Sequence, residues 1–212
     1  MTDSVAAVAP PTKYDRFVAE VHRLCQDNRT RAELRRGLGL PVERCNYMHR
    51  YLVPWLRDHD DQGYGDVRRA YYSVASLIAA RPRSARQGEP ETAPASTVWH
   101  QRPNLGTSLG YAVTKDVLKP NTAESALHLM SRQSSDAVHR GLPALIAQLT
   151  GAGITVDWAV LLKDMSWWAQ DRDRIATRWL DSYFLTATAT ATGDDTNPGT
   201  DADTDLPEEN ER

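Results

Sequence analysis

Residues 156–184 read VDWAVLLKDMSWWAQDRDRIATRWLDSYF. Trp158, Leu161, Leu162, Met165, Trp168, Ile175 and Trp179 recur at helical intervals, which puts them on one face. The stretch predicts a long amphipathic helix, about Val156 to Phe184, capped by Thr155. Trp168 lies on the apolar stripe and is expected in the core, its ring filling space between helices. Trp167 is turned about 100° away, and is expected to pack against a neighbouring helix at the stripe's edge rather than stack on a base. Arg172, Arg174 and Arg178 are expected to divide between salt bridges with nearby acids and a basic surface.

The same periodicity extends upstream. YDRFVAEVHRLCQ places Phe17, Val21, Leu24 and Cys25 on one face. Thr30 is a candidate cap for a short helix through RAELRRGL, which Gly37 and Gly39 end. Pro41 opens a third helix, VERCNYMHRYLVPWL, with Val42, Cys45, Met48 and Leu52 as its stripe. Asp66 can cap VRRAYYSVASLIAA. Beyond residue 103, NLGTSLGYAVTKDV and TAESALHLMSRQ read as helices. DAVHRGLPALIAQL follows, with Ser134 or Ser135 as cap and Gly151 and Gly153 as its stop. No strand-like alternation of useful length interrupts them.

Arg81 to Pro103 contains four prolines among small polar residues and reads as a loop. The fold class predicted is all-α: two small helical bundles joined by a Pro-rich loop. Their expected limits are 13–80 and 104–185, with a flexible arm at 1–12, the linker at 81–103 and an acidic tail at 186–212. The tail holds eight acids and one base, rich in Thr, Asp and Gly, and is expected to be disordered. The chain has 25 Lys and Arg against 28 Asp and Glu, so residues 1–185 keep 24 bases and 20 acids. A net charge of -3 therefore conceals a mildly basic, arginine-rich body of +4, which permits an anionic partner.

There is no apolar run of transmembrane length. Two cysteines, Cys25 and Cys45, are too few for a disulfide framework and point to a reducing cytoplasm. No P-loop, dinucleotide turn, G-x-S-x-G or H-E-x-x-H occurs, so no enzymatic motif supports catalysis. His22 with Cys25, and Cys45 with His49, have spacings that could present zinc ligands on two helices. Because both cysteines fall on apolar stripes, burial as small hydrophobes is the preferred reading, and no metal or cofactor is expected. The arginines are more informative. NRTRAELRR supplies Arg29, Arg31, Arg35 and Arg36 at a helix start, where N–H groups and guanidinium forks can both hold phosphate. Arg68 and Arg69 begin another helix, and Arg132 and Arg140 flank the Ser134–Ser135 cap.

The second half, with NLGTSLGYAV, LHLMSRQSSDAVHRGLPALIAQL and Asp157-Trp158 followed by Trp167-Trp168, resembles the CasB family. These are small subunits of the type I-E CRISPR surveillance complex, Cascade. YDRFVAEVHRL, AELRRG and YYSVASLIAA agree more loosely. The resemblance implies a helical, non-catalytic subunit without cofactor. Its implied partners are other Cascade subunits, guide RNA, target DNA and a second copy of itself, with no membrane. A basic surface would support the guide–target heteroduplex and displaced strand while the R-loop opens. Arg35 and Arg36 match a basic pair of the family, and Arg132 a further arginine. The chain departs from the pattern at Tyr111, where arginine is usual, and at Pro143-Ala144. Arg29, Arg31, Arg68 and Arg69 are the candidates to compensate. The alternative is a helical protein–protein adaptor without nucleic-acid contact.

Overall fold

A computed structural model describes residues 10–57, 64–82 and 98–189. Most of the expected arm and linker and nearly all of the acidic tail lie outside the described residues. Among those described there are eight α-helices and no strand: α1 Lys13–Leu24, α2 Asn28–Arg35, α3 His49–Leu52, α4 Tyr64–Ala80, α5 Leu105–Thr114, α6 Pro120–Ser131, α7 Ser135–Gly151 and α8 Trp158–Ala189. The all-α expectation holds.

Most helix starts are set by side-chain caps. Thr12 and Asp15 form a reciprocal capping box at α1, and Asn104 and Thr107 do the same at α5. Ser134 caps α7, as its position suggested. Three caps differ from the sequence reading. Helix α4 already starts at Tyr64, so Asp66, expected as its cap, lies within the first turn. Helix α2 starts three residues before Arg31, because the Asp27 carboxylate accepts the Thr30 N–H at 2.7 Å. Helix α8 is capped by Asp157, whose Oδ1 accepts the N–H groups of Ala159 and Val160 at 3.1 and 3.0 Å. Thr155, expected in that role, lies outside the helix; its carbonyl accepts the Ser108 hydroxyl at 2.8 Å.

The third expected helix is broken into 3₁₀ turns at Val42–Arg44 and Asn46–Met48, the single turn α3, and a 3₁₀ turn at Val53–Leu56. Pro54 has no N–H to continue an α-ladder. The Cys45 carbonyl accepts instead from His49 Nδ1 and from the Met48 N–H. The apolar stripe survives this break, for Val42, Cys45, Met48 and Leu52 are all buried.

Helix α8 is the spine. It packs against α1, α4, α5 and α6. Trp158, Leu161, Leu162, Met165, Trp168, Ile175 and Trp179 are buried along it, and buried residues of both expected halves form a single core cluster. Trp168 and Trp179 pack at a tilt of 34° with ring centroids 4.9 Å apart. Their N–H groups are satisfied by the Gln133 carbonyl at 3.3 Å and Asp164 Oδ2 at 2.7 Å, as buried indoles require. At Asp171 the backbone leaves helical geometry (φ -120°, ψ 23°) and α8 kinks.

Candidate nucleic-acid interface

The arginines of α2 are fixed from beneath by one residue. Leu34 is fully buried, so Arg35 and Arg36 beside it must face outward. Asn28, Arg31, Ala32, Arg35 and Arg36 line an open hollow of about 550 Å³. Arg35 also borders a second hollow of about 320 Å³, shared with Arg81 at the end of α4 and Pro143 and Ala147 of α7. Because Asp27 occupies the helix N-terminus, the capacity to bind an anion here lies in the guanidinium groups. The backbone N–H groups anticipated from sequence contribute less.

The eight sequence-selected arginines divide by what already holds them. Arg29 lies 3.5 Å from Glu33, and Arg31 Nε donates to the Ala79 carbonyl at 3.1 Å. Arg68 donates to His49 Nε2 at 2.8 Å and stands over the Tyr72 ring. Arg69 pairs with Asp136. Burial and the neighbouring Arg140 hold the Arg69 guanidinium below its ordinary pKa. Arg35, Arg36, Arg132 and Arg140 are exposed, and among the described residues no carboxylate pairs with them. The fold thus gathers Arg31, Arg35 and Arg36 into one hollow and Arg69 with Arg140 into a second group. Arg132, at the end of α6, lines neither hollow.

Arg44 was missed. It is exposed, and with Arg36 its charge opposes the burial-driven rise of the Tyr47 hydroxyl pKa. No sequence signal marks it until the third helix is known to break. Arg172, Arg174 and Arg178 pair with Asp173, Asp171 and Asp164; the salt-bridge half of their expected division therefore dominates.

Of the four zinc candidates, Cys45 and His49 are engaged by other groups; Cys45 is buried as expected, whereas Cys25 is only half-buried. Cys45 donates its thiol to the Pro41 carbonyl at 3.4 Å. His49 uses Nδ1 on the Cys45 carbonyl and Nε2 on Arg68. Burial, then the charge of Arg81, lowers the His22 pKa to about 4. Among the described residues no group of three His, Cys, Asp or Glu side chains is placed to hold a metal. No described helix is long and apolar enough to cross a membrane.

The family model for CRISPR-associated protein Cse2 matches residues 30–184, covering most of α2 through α8. The chain belongs to the Cse2 family. A solved chain from a "CRISPR RNA-guided surveillance complex" is 34% identical, with TM-score 0.73, over 85% of this chain and 96% of that one. A second, from such a complex described as pre-nicking, is 36% identical with TM-score 0.74 over the same shares. The crystal structure of M. ruber CasB, at 20% identity and TM-score 0.67, covers 86% of this Cse2 chain and 98% of its own, and shares the fold. No curated protein matches the chain.

Proposed function

We propose that this Cse2-family chain is the small subunit of a type I-E Cascade and works by binding rather than catalysis. Its partners are the other Cascade subunits, guide RNA, target DNA and a second copy of itself, in the cytoplasm. Arg31, Arg35 and Arg36, extended by Arg29, Arg44, Arg68, Arg69, Arg132 and Arg140, form the surface that grips phosphates of the heteroduplex and the displaced strand. Guide pairing reads the sequence; this surface supplies the sequence-independent backbone contacts. R-loop formation is nearly balanced in energy, so a few such contacts are enough to tip it. The observation carrying this reading is the α2 hollow, where two exposed arginines stand with no carboxylate among the described residues to neutralise them. The likeness to chains of RNA-guided surveillance complexes supports it.

Replacing both residues by Arg35→Glu and Arg36→Glu tests it in the assembled complex. Target-DNA affinity at physiological salt is expected to fall at least tenfold. The slope of log affinity against log salt should flatten by about 0.9 for each phosphate the surface no longer neutralises. Unchanged affinity and slope, with the subunit still incorporated, would sink the assignment.

A further inference from the structure

Trp167 does not share the fate of its neighbour. Trp168 is fully buried, whereas Trp167 is 47% exposed. Its indole N–H donates to the Tyr14 hydroxyl of α1 at 3.4 Å, which pins one edge of the ring and leaves much of the rest open. The kink of α8 at Asp171 lies one turn further on. Tyr14, Lys163, Trp167, Asp171, Arg174 and Arg178 surround a concavity of about 350 Å³, within the range of small-ligand sites.

Three cations face it against two carboxylates. Asp164 is buried and spent on Arg178 and the Trp179 indole, and Asp171 lies 3.3 Å from Arg174. Lys163 sits over the Trp99 ring, 4.7 Å from its centre. Burial depresses the Lys163 pKa; the Asp164 carboxylate opposes this, and the charges of Arg178 and Arg174 add to it. The Arg178 Nε is buried without a protein acceptor.

We propose that this concavity is a subsite for one unpaired nucleotide of a single-stranded nucleic acid, its base stacked on Trp167 and its phosphates met by Lys163 and Arg174. An exposed aromatic ring flanked by cations is the recurring chemistry of single-strand binding, and it tolerates any base. The subsite rests on the nucleic-acid role proposed above, and adds a base contact to the phosphate contacts proposed there.

The test titrates the full-length protein with fluorescein-labelled (dT)20 and with an abasic oligonucleotide of equal length. Trp167→Ala is expected to weaken (dT)20 binding by about tenfold, the order of one base–aromatic stack. Abasic binding and the salt slope should stay unchanged, and Trp167→Phe should restore (dT)20 affinity. Arg35→Glu with Arg36→Glu should weaken both oligonucleotides alike. If Trp167→Ala leaves (dT)20 binding intact while the arginine pair weakens it, the subsite is wrong and the broader function stands. Equal losses on both oligonucleotides also overturn the subsite, as does failure of Trp167→Phe to rescue. Loss of incorporation into the complex with (dT)20 binding intact reassigns the concavity to a protein contact. If the wild type binds neither oligonucleotide, subsite and nucleic-acid role fall together.

Discussion

Asp157 carries two tasks on one carboxylate. It caps α8, and it receives a bidentate fork from Arg102, with Nε and Nη2 each 2.7 Å from its oxygens. Arg102 Nη1 reaches on to Asp15 of α1, also at 2.7 Å, and its guanidinium lies under Trp99. Burial pushes the Asp157 carboxyl above its ordinary pKa, against the pull of Arg102 and the Val160 N–H. Asp15 is less buried. Burial raises it, but the hydrogen bonds from Thr12 and Arg102 outweigh that and leave it lowered. Removing one partner of such a buried pair strands the other charge, which costs about 3–5 kcal/mol. Asp157→Asn keeps a good cap and loses the charge; Asp157→Ala loses both and should cost about 1 kcal/mol more. Urea unfolding of the two variants measures the difference. A loss under about 1 kcal/mol in both would show that Asp15 alone satisfies Arg102.

At the scale of elements, the crossing of α5 on α8 depends on what α5 lacks. A Cβ on Gly106 would overlap the Trp179 carbonyl, and one on Gly110 would come 2.6 Å from Thr186 Cβ. Backbone cannot yield as a flexible side chain does, so Gly106→Ala must push α5 off the spine. We expect a loss of at least about 3 kcal/mol, read as a large drop in thermal midpoint or in soluble yield. Gly141, inside α7 with open space around it, is the control: Gly141→Ala should gain up to about 1 kcal/mol from helix propensity. The same elements show how far the sequence could be read. Periodicity recovered the helices and the buried stripe of α8, because spacing alone fixes which residues share a face. It misjudged Val42–Leu56, where Pro54 and the claim of His49 on the Cys45 carbonyl override a good apolar pattern. It placed Trp167 at the edge of the stripe correctly, and α1 is indeed its neighbour. It could not see the concavity, which needs the Asp171 kink and the proximity of Tyr14, 153 residues away. Of the chosen arginines, spacing identified the exposed pair on α2. It could not tell that Arg31, Arg68 and Arg69 are held by the Ala79 carbonyl, His49 and Asp136, because those partners come from other elements.

Across the whole molecule, α4 and the residue that follows it bring two arginines near histidines of other helices. His22 of α1 feels Arg81, and its pKa lies at about 4; His139 of α7 feels Arg69, and burial with that charge holds it at about 3. Neither ring nitrogen of His139 meets a protein partner, so nothing in the fold rewards its protonation. Unfolded, both rings return to a pKa of about 6.5. Above that pH neither state binds the proton and the histidines leave stability independent of pH. As pH falls below about 6.5, the unfolded chain takes protons that the folded chain refuses, and stability declines by up to about 1.4 kcal/mol per pH unit for each ring. The decline from His22 ends near pH 4 and that from His139 near pH 3, where the folded state also binds the proton. Replacing His139→Leu removes one of the two contributions while keeping an apolar side chain of similar size in a site that is 3% exposed. Urea midpoints at pH 7 and pH 5 should therefore show the wild type losing about 2 kcal/mol more than the variant over that interval. At pH 7 the variant should be at least as stable as the wild type, because a buried polar ring without partners is replaced by a hydrocarbon. Equal acid losses in both proteins would mean that His139 gains a proton acceptor, or water, inside the fold.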